Sequence, residues 1–95
     1  MTGEDVKFIR HELARALGRR ISHTDLGLAL GIAEANVNRQ ARRWEEEGPT
    51  GPVAVALHLM WERVVLHGEV EKFDIARMDF GQRRATIEAA RARND

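Results

Sequence analysis

Between positions 36 and 43 the chain gathers three arginines and two asparagines, side chains well shaped to meet nucleic acid. Arginine grips guanine O6 and N7 through two parallel hydrogen bonds and also neutralises phosphate; asparagine pairs with adenine. Ala35, just ahead of them, is small enough to meet a thymine methyl. If Val37, Ala41 and Trp44 point inwards from a helix, a turn of about 100° per residue sorts the remaining faces. Ala35, Arg39 and Arg42 then centre on the outward face, with Asn38 on one flank and Asn36 and Arg43 on the other. The same residues would also suit a solvated face paired with the acids at 45–47. Few acids precede Glu45, so groove contact is the favoured expectation. Glu34 opposes it, since it repels phosphate unless it accepts from a cytosine amino group.

Other chemistries find little support. His11, His23, His58 and His67 show no metal-ligand spacing, and His58 and His67 fall on opposite sides of one helical pattern. There is no cysteine, no tyrosine and no His-Glu-x-x-His, and the one serine, Ser22, is explained as a helix cap. Asp74 and Asp79 lie in a polar stretch with no apolar pocket to tune them. The glycines around Pro49 and Pro52 lack the lysine of a phosphate-binding loop. No enzyme, metal or cofactor is expected.

The elements that must position the arginines begin at Ile21. Ser22 and Asp25 form a reciprocal N-capping pattern, and Leu26, Ala29 and Leu30 follow on one apolar face, predicting a helix over 23–30. Gly31 ends it, because glycine takes a left-handed C-cap without a Cβ penalty. Ile32 plugs the turn, and a second helix is predicted over 34–46 with Val37, Ala41 and Trp44 on its inner side. Helix, glycine turn, helix is the pattern of a helix-turn-helix.

At Leu26, Gly27, Leu30, Gly31, Ile32 and Val37 the chain resembles the Cro/C1-type (XRE-like) helix-turn-helix family, over about a quarter of its length. Gly27 stands where that family usually has alanine, and either is expected to let the two helices approach closely. Two positions depart from the family pattern. Ala33 replaces the polar N-cap of the recognition helix, weakening its start. Trp44-Glu45 comes four residues later than the family's Trp-Glu pair, about one helical turn. This reads as a lengthened recognition helix with Trp44 still facing the core; a looped insertion would displace Arg42 and Arg43. The resemblance implies double-stranded DNA as the partner. It places His23 near the DNA backbone, where a histidine could donate to phosphate or simply be an exposed first-turn residue.

The flanking segments complete a small bundle. Thr2 and Asp5 cap a first helix whose apolar residues Val6, Ile9, Leu13, Ala16 and Leu17 repeat at helical spacing up to Gly18. Its outer face carries Lys7, Arg10 and Arg15. Arg19 and Arg20 follow in the connector, either near a passing phosphate or as solvated loop charges. The acids at 45–47 oppose the dipole of a helix C-terminus, so they should sit away from DNA or pair with a basic patch elsewhere. Pro52 suits the first turn of a fourth helix, capped by Thr50 or Gly51.

That fourth helix, predicted over 53–67, is apolar on two sides. Val53, Leu57, Met60, Trp61 and Val64 make one stripe; Val55, Leu59 and Leu66, with part of Val65, make another. The second stripe needs a cover, either the C-terminal segment or a second subunit, and dimerisation is favoured because a two-fold protein matches a two-fold operator. After Gly68 the apolar spacing fits no single period, leaving a hairpin, an arm or an irregular helix, with a last helix capped by Asp79 and Gln82.

Ninety-five residues suffice for one core. The expected division is a helix-turn-helix domain over 1–68 and an extension over 69–95 that could serve as a dimerisation arm. Net charge is zero, yet positions 7–43 hold eight basic residues against three acids, a net of +5, while 44–95 carry seven against ten, a net of −3. A stripe of one sign is what phosphates feel, so the asymmetry supports nucleic acid. Without cysteine, with a polar, acidic start and with no apolar run long enough for a bilayer, a cytoplasmic, non-membrane protein is expected. The expected whole is an all-α bundle of about five helices: a homodimeric DNA-binding transcriptional regulator of repressor type. The alternative is a protein-interaction module, antitoxin-like, that binds a partner protein through the apolar helix 53–67.

Overall fold

A computed structural model describes residues 1–33 and 35–94. Among these the chain forms six α-helices and no strand. They are α1 (Gly3–Leu17), α2 (His23–Ala29), α3 (Val37–Glu47), α4 (Gly51–Trp61), α5 (Glu71–Arg77) and α6 (Phe80–Asn94), and a π-helical turn, Glu62–Leu66, prolongs α4. The architecture is all-α, with one helix more than the sequence suggests.

Local chemistry sets most boundaries. At Thr2/Asp5 and Ser22/Asp25 each hydroxyl accepts from the third residue's N–H while that residue's carboxylate accepts from the cap's N–H. Asp79 and Gln82 bond reciprocally in the same way at the start of α6. Gly31, at φ 85°, closes α2: its N–H reaches the Leu28 carbonyl, and the Ile32 N–H reaches Gly27 at 3.1 Å. Thr50 is the cap residue of α4, without a side-chain cap bond, and Pro52 sits in the first turn. The π turn is marked by the His67 N–H reaching back five residues to the Glu62 carbonyl at 3.0 Å.

Two boundaries differ from expectation. The helix expected over 34–46 begins only at Val37, and Ala35 and Asn36 lie in a turn ahead of it. Ala33 has no side chain able to cap, and Asn36, the N-cap residue, makes no side-chain cap hydrogen bond, so the start of α3 is weakly capped. Glu34, and with it the question of its repulsion or base contact, lies outside the described residues. The helix expected over 53–67 runs Gly51–Trp61 and then loosens into the π turn.

One core holds the bundle together. Val6, Ile9 and Leu13 of α1 meet Leu26 and Ala29 of α2, Ala41 and Trp44 of α3, and Leu57 and Val64 of the fourth segment, with Ile21 from the connector. The core does not stop at Gly68. Phe73 of α5 is fully buried in it, and Arg77 of α5 pairs with Asp25 of α2 at 3.3 Å. By contrast α6 buries no residue, and Phe80 at its start is 74% exposed. What attaches α6 is Arg83, which donates to the carbonyls of Ala76 at 2.9 Å, Met78 at 3.3 Å and Ile75 at 3.4 Å, satisfying orphan acceptors at the end of α5.

Candidate nucleic-acid interface

The arginine-bearing helix is positioned from two sides. Val37, Ala41 and Trp44 of α3 are buried at intervals that define one inner face. Gly27 of α2 lies against Val37 so closely that a Cβ there would stand 2.2 Å from Val37 Cγ2. Alanine is therefore not equivalent to glycine at position 27, contrary to the expectation from the family pattern. At the other end, a Cβ on Gly3 would meet the Glu45 carbonyl oxygen at 2.1 Å, so α1 starts in backbone contact with the end of α3.

α3 is continuous from Val37 through Trp44, which is buried, so the four residues ahead of Trp44 lengthen a helix and form no loop. Asn38, Arg39, Arg42 and Arg43 are all exposed, across the helix from the core residues. Asn38 Nδ2 donates to Thr24 Oγ1 at 3.3 Å, which steadies it against α2. Arg39 donates to Asn36 Oδ1 at 3.2 Å. Arg43 faces Glu47 at 3.7 Å, an exposed pair worth a few tenths of a kcal/mol, about 0.3–0.5, and easily exchanged for another anion. Arg42 has no ion-pair partner among the described residues.

Ala35 and Asn36 take different places from those expected. Both lie in the turn before α3 and not on its outward face, because the helix starts after them. They remain exposed, and Asn36 supports the arginine it was expected to flank.

The weaker phosphate candidates separate into used and free groups. His23 is engaged within the fold: its Nε2 meets Glu45 Oε2, whose side chain is only 11% exposed. Arg10, expected on the outer face of α1, turns inward instead; its Nε donates to Glu45 Oε1 and its Nη1 to the Ile21 carbonyl, both at 3.0 Å. Glu45 thus joins α1, α2 and the end of α3. The acid that opposes the α3 dipole is held by two basic groups from neighbouring helices. Arg19 pairs with Asp74 of α5 at 2.6 Å. Arg20 and Lys7 are exposed, without ion-pair partners among the described residues.

The expected dimer residues stay uncovered. Val55, Leu59 and Leu66 are 60%, 53% and 60% exposed, so neither α5 nor α6 serves as their cover. Among the described residues no group of three or more His, Asp or Glu could hold a metal ion, and no helix is long and apolar enough to cross a membrane. Compared with known proteins, the chain matches no protein-family model, no curated protein and no solved structure.

Proposed function

We propose that the protein is a sequence-specific, double-stranded-DNA-binding transcriptional regulator of the Cro/C1-type (XRE-like) helix-turn-helix kind, acting as a homodimeric repressor. The observation that carries this reading is the face of α3: Asn38, Arg39 and Arg42 exposed on a helix whose opposite side is locked into the core. In the major groove Arg39 and Arg42 read guanine or clamp phosphate, while Asn38, steadied by Thr24, presents its amide to adenine. Arg43 and Arg20 neutralise flanking phosphates. Repression follows from occlusion of a promoter by a compact dimer, whose contact is made by the exposed Val55, Leu59 and Leu66.

The test is a titration against genomic DNA fragments, including the protein's own promoter, at several salt concentrations. A steep fall of affinity with salt and one protected two-fold site are expected. Arg42→Ala should cost roughly 1–3 kcal/mol of binding with folding unchanged; Arg19→Ala, whose guanidinium is already engaged by Asp74, should leave the salt slope nearly unchanged. Equal, weak binding to every fragment at low salt would sink the proposal.

The exposed Val55, Leu59 and Leu66 also favour a second reading, a protein-interaction module with a different protein as its cover. On that reading Leu59→Asp abolishes function and Arg39→Ala does not.

A further inference from the structure

Where α1 crosses α4, three rings and a carboxylate line a small open cleft of about 150 Å3. Asp5, Phe8 and Ile9 come from α1, and His58 and Trp61 from α4. Each set is spaced to put its side chains on one side of its own helix. The Phe8 and Trp61 ring centres are 6.5 Å apart at 55°, and His58 and Trp61 are 6.2 Å apart at 48°. Neither pair is stacked flat: the Phe8 and His58 rings are both inclined to Trp61.

Phe8 is 54% exposed, so part of its ring is open to a ligand. The rim supplies a charge. Hydrogen bonds from the Thr2 backbone N–H and hydroxyl hold the Asp5 carboxyl below the usual aspartate range, so it remains anionic. No lysine or arginine lines the cleft.

Inclined π faces beside a fixed carboxylate are the chemistry that receives an organic cation, tryptophan being the strongest such ring. We propose that this cleft binds an arginine or lysine side chain presented by a partner polypeptide. The cation's flat or methylene-rich stem covers the Phe8 ring, its charge lies over Trp61, and Asp5 faces its outer edge. The cleft is open to solvent, so a side chain carried on a polypeptide can reach it. It lies on α1 and α4 and uses none of the α3 residues assigned to DNA.

The test follows the Trp61 indole N–H signal by NMR in the full chain. The titrants are an alanine-flanked arginine peptide, the same peptide with citrulline, and tetramethylammonium alone. Saturable shifts with the arginine peptide are expected, in the millimolar range, with citrulline at least several-fold weaker. Phe8→Leu, which keeps apolar area but removes a π face, and Asp5→Asn should each weaken binding several-fold with helical content unchanged by circular dichroism. Equal binding of the citrulline peptide, wild-type affinity in Phe8→Leu, or no saturation would each overturn the proposal. Tetramethylammonium binding as tightly as the peptide would overturn the assignment of a protein-borne cation.

Discussion

Gly27 and Val37 stand so close that the space between α2 and α3 admits no β-carbon: one placed on Gly27 would fall 2.2 Å from Val37 Cγ2 and 3.1 Å from the Val37 carbonyl oxygen. Valine is stiff at χ1 and cannot swing clear, and the backbone behind it blocks a second route. Gly27→Ala should therefore destabilise the fold by about 1–3 kcal/mol despite alanine's better helix propensity. For a domain this small, that is a fall in melting temperature of about 4–8 °C per kcal/mol. An unchanged or raised melting temperature would show that the two helices can separate without cost.

Glu45 bridges Arg10 and His23 with its side chain largely out of water. Removing its charge leaves the Arg10 guanidinium half-buried opposite a neutral group, at a cost of about 1–3 kcal/mol. Glu45→Gln should thus lower the urea midpoint measurably, while Glu46→Gln, at an exposed neighbour, should not. Equal midpoints for the two variants would show that the bridge contributes nothing net.

The two C-terminal helices should respond in opposite ways to truncation. Phe73 is fully buried, so Phe73→Ala should cost about 3–5 kcal/mol, and a chain ended at Gly68 should fail to fold. A chain ended at Asp79 loses a helix that buries nothing and should keep a near-native melting temperature. Loss of folding in the second truncation would mean that α6 contributes more than its exposure implies.

Asp5 makes a pH dependence with a definite sign. Its carboxyl titrates lower in the folded chain than in the unfolded one, chiefly because of the Thr2 N–H bond. The capping contribution is fully present above the ordinary aspartate value of 3.8 and is lost as the pH falls through the lowered folded value. Wild type and Asp5→Asn should accordingly differ near neutrality and converge in acid, as followed by thermal melts across pH. A gap that stays constant with pH would remove the carboxylate from the explanation.

What was legible in the sequence was local. The capping pairs at Thr2/Asp5, Ser22/Asp25 and Asp79/Gln82 each span three residues, and all three form. The inner face of α3 could be read from spacing alone, because Trp44 is one turn beyond Ala41. The roles of Arg10 and His23 could not, since their partner Glu45 lies 35 and 22 residues away. Helical periodicity shows which side of a helix a residue occupies and nothing about which distant acid lies there. Phe73 was missed for a related reason. α5 is only seven residues long, so one buried aromatic in it makes no periodic signal. The displaced start of α3 had a visible cue in Ala33, which cannot cap a helix.

The π-helical turn at Glu62–Leu66 adds a constraint of a different kind, on chain length. Its wider hydrogen-bonded ring holds one residue more than an α-helical ring does. Deleting a single residue there would restore an ordinary α-helical ladder, which is locally favourable. It would also turn everything downstream by about 100°, swinging the approach to α5 and drawing Phe73 away from its place in the core. At this one stretch, then, a single-codon deletion should be tolerated worse than most point substitutions, although three of its five residues are not themselves exposed to solvent in full and only Val64 is buried.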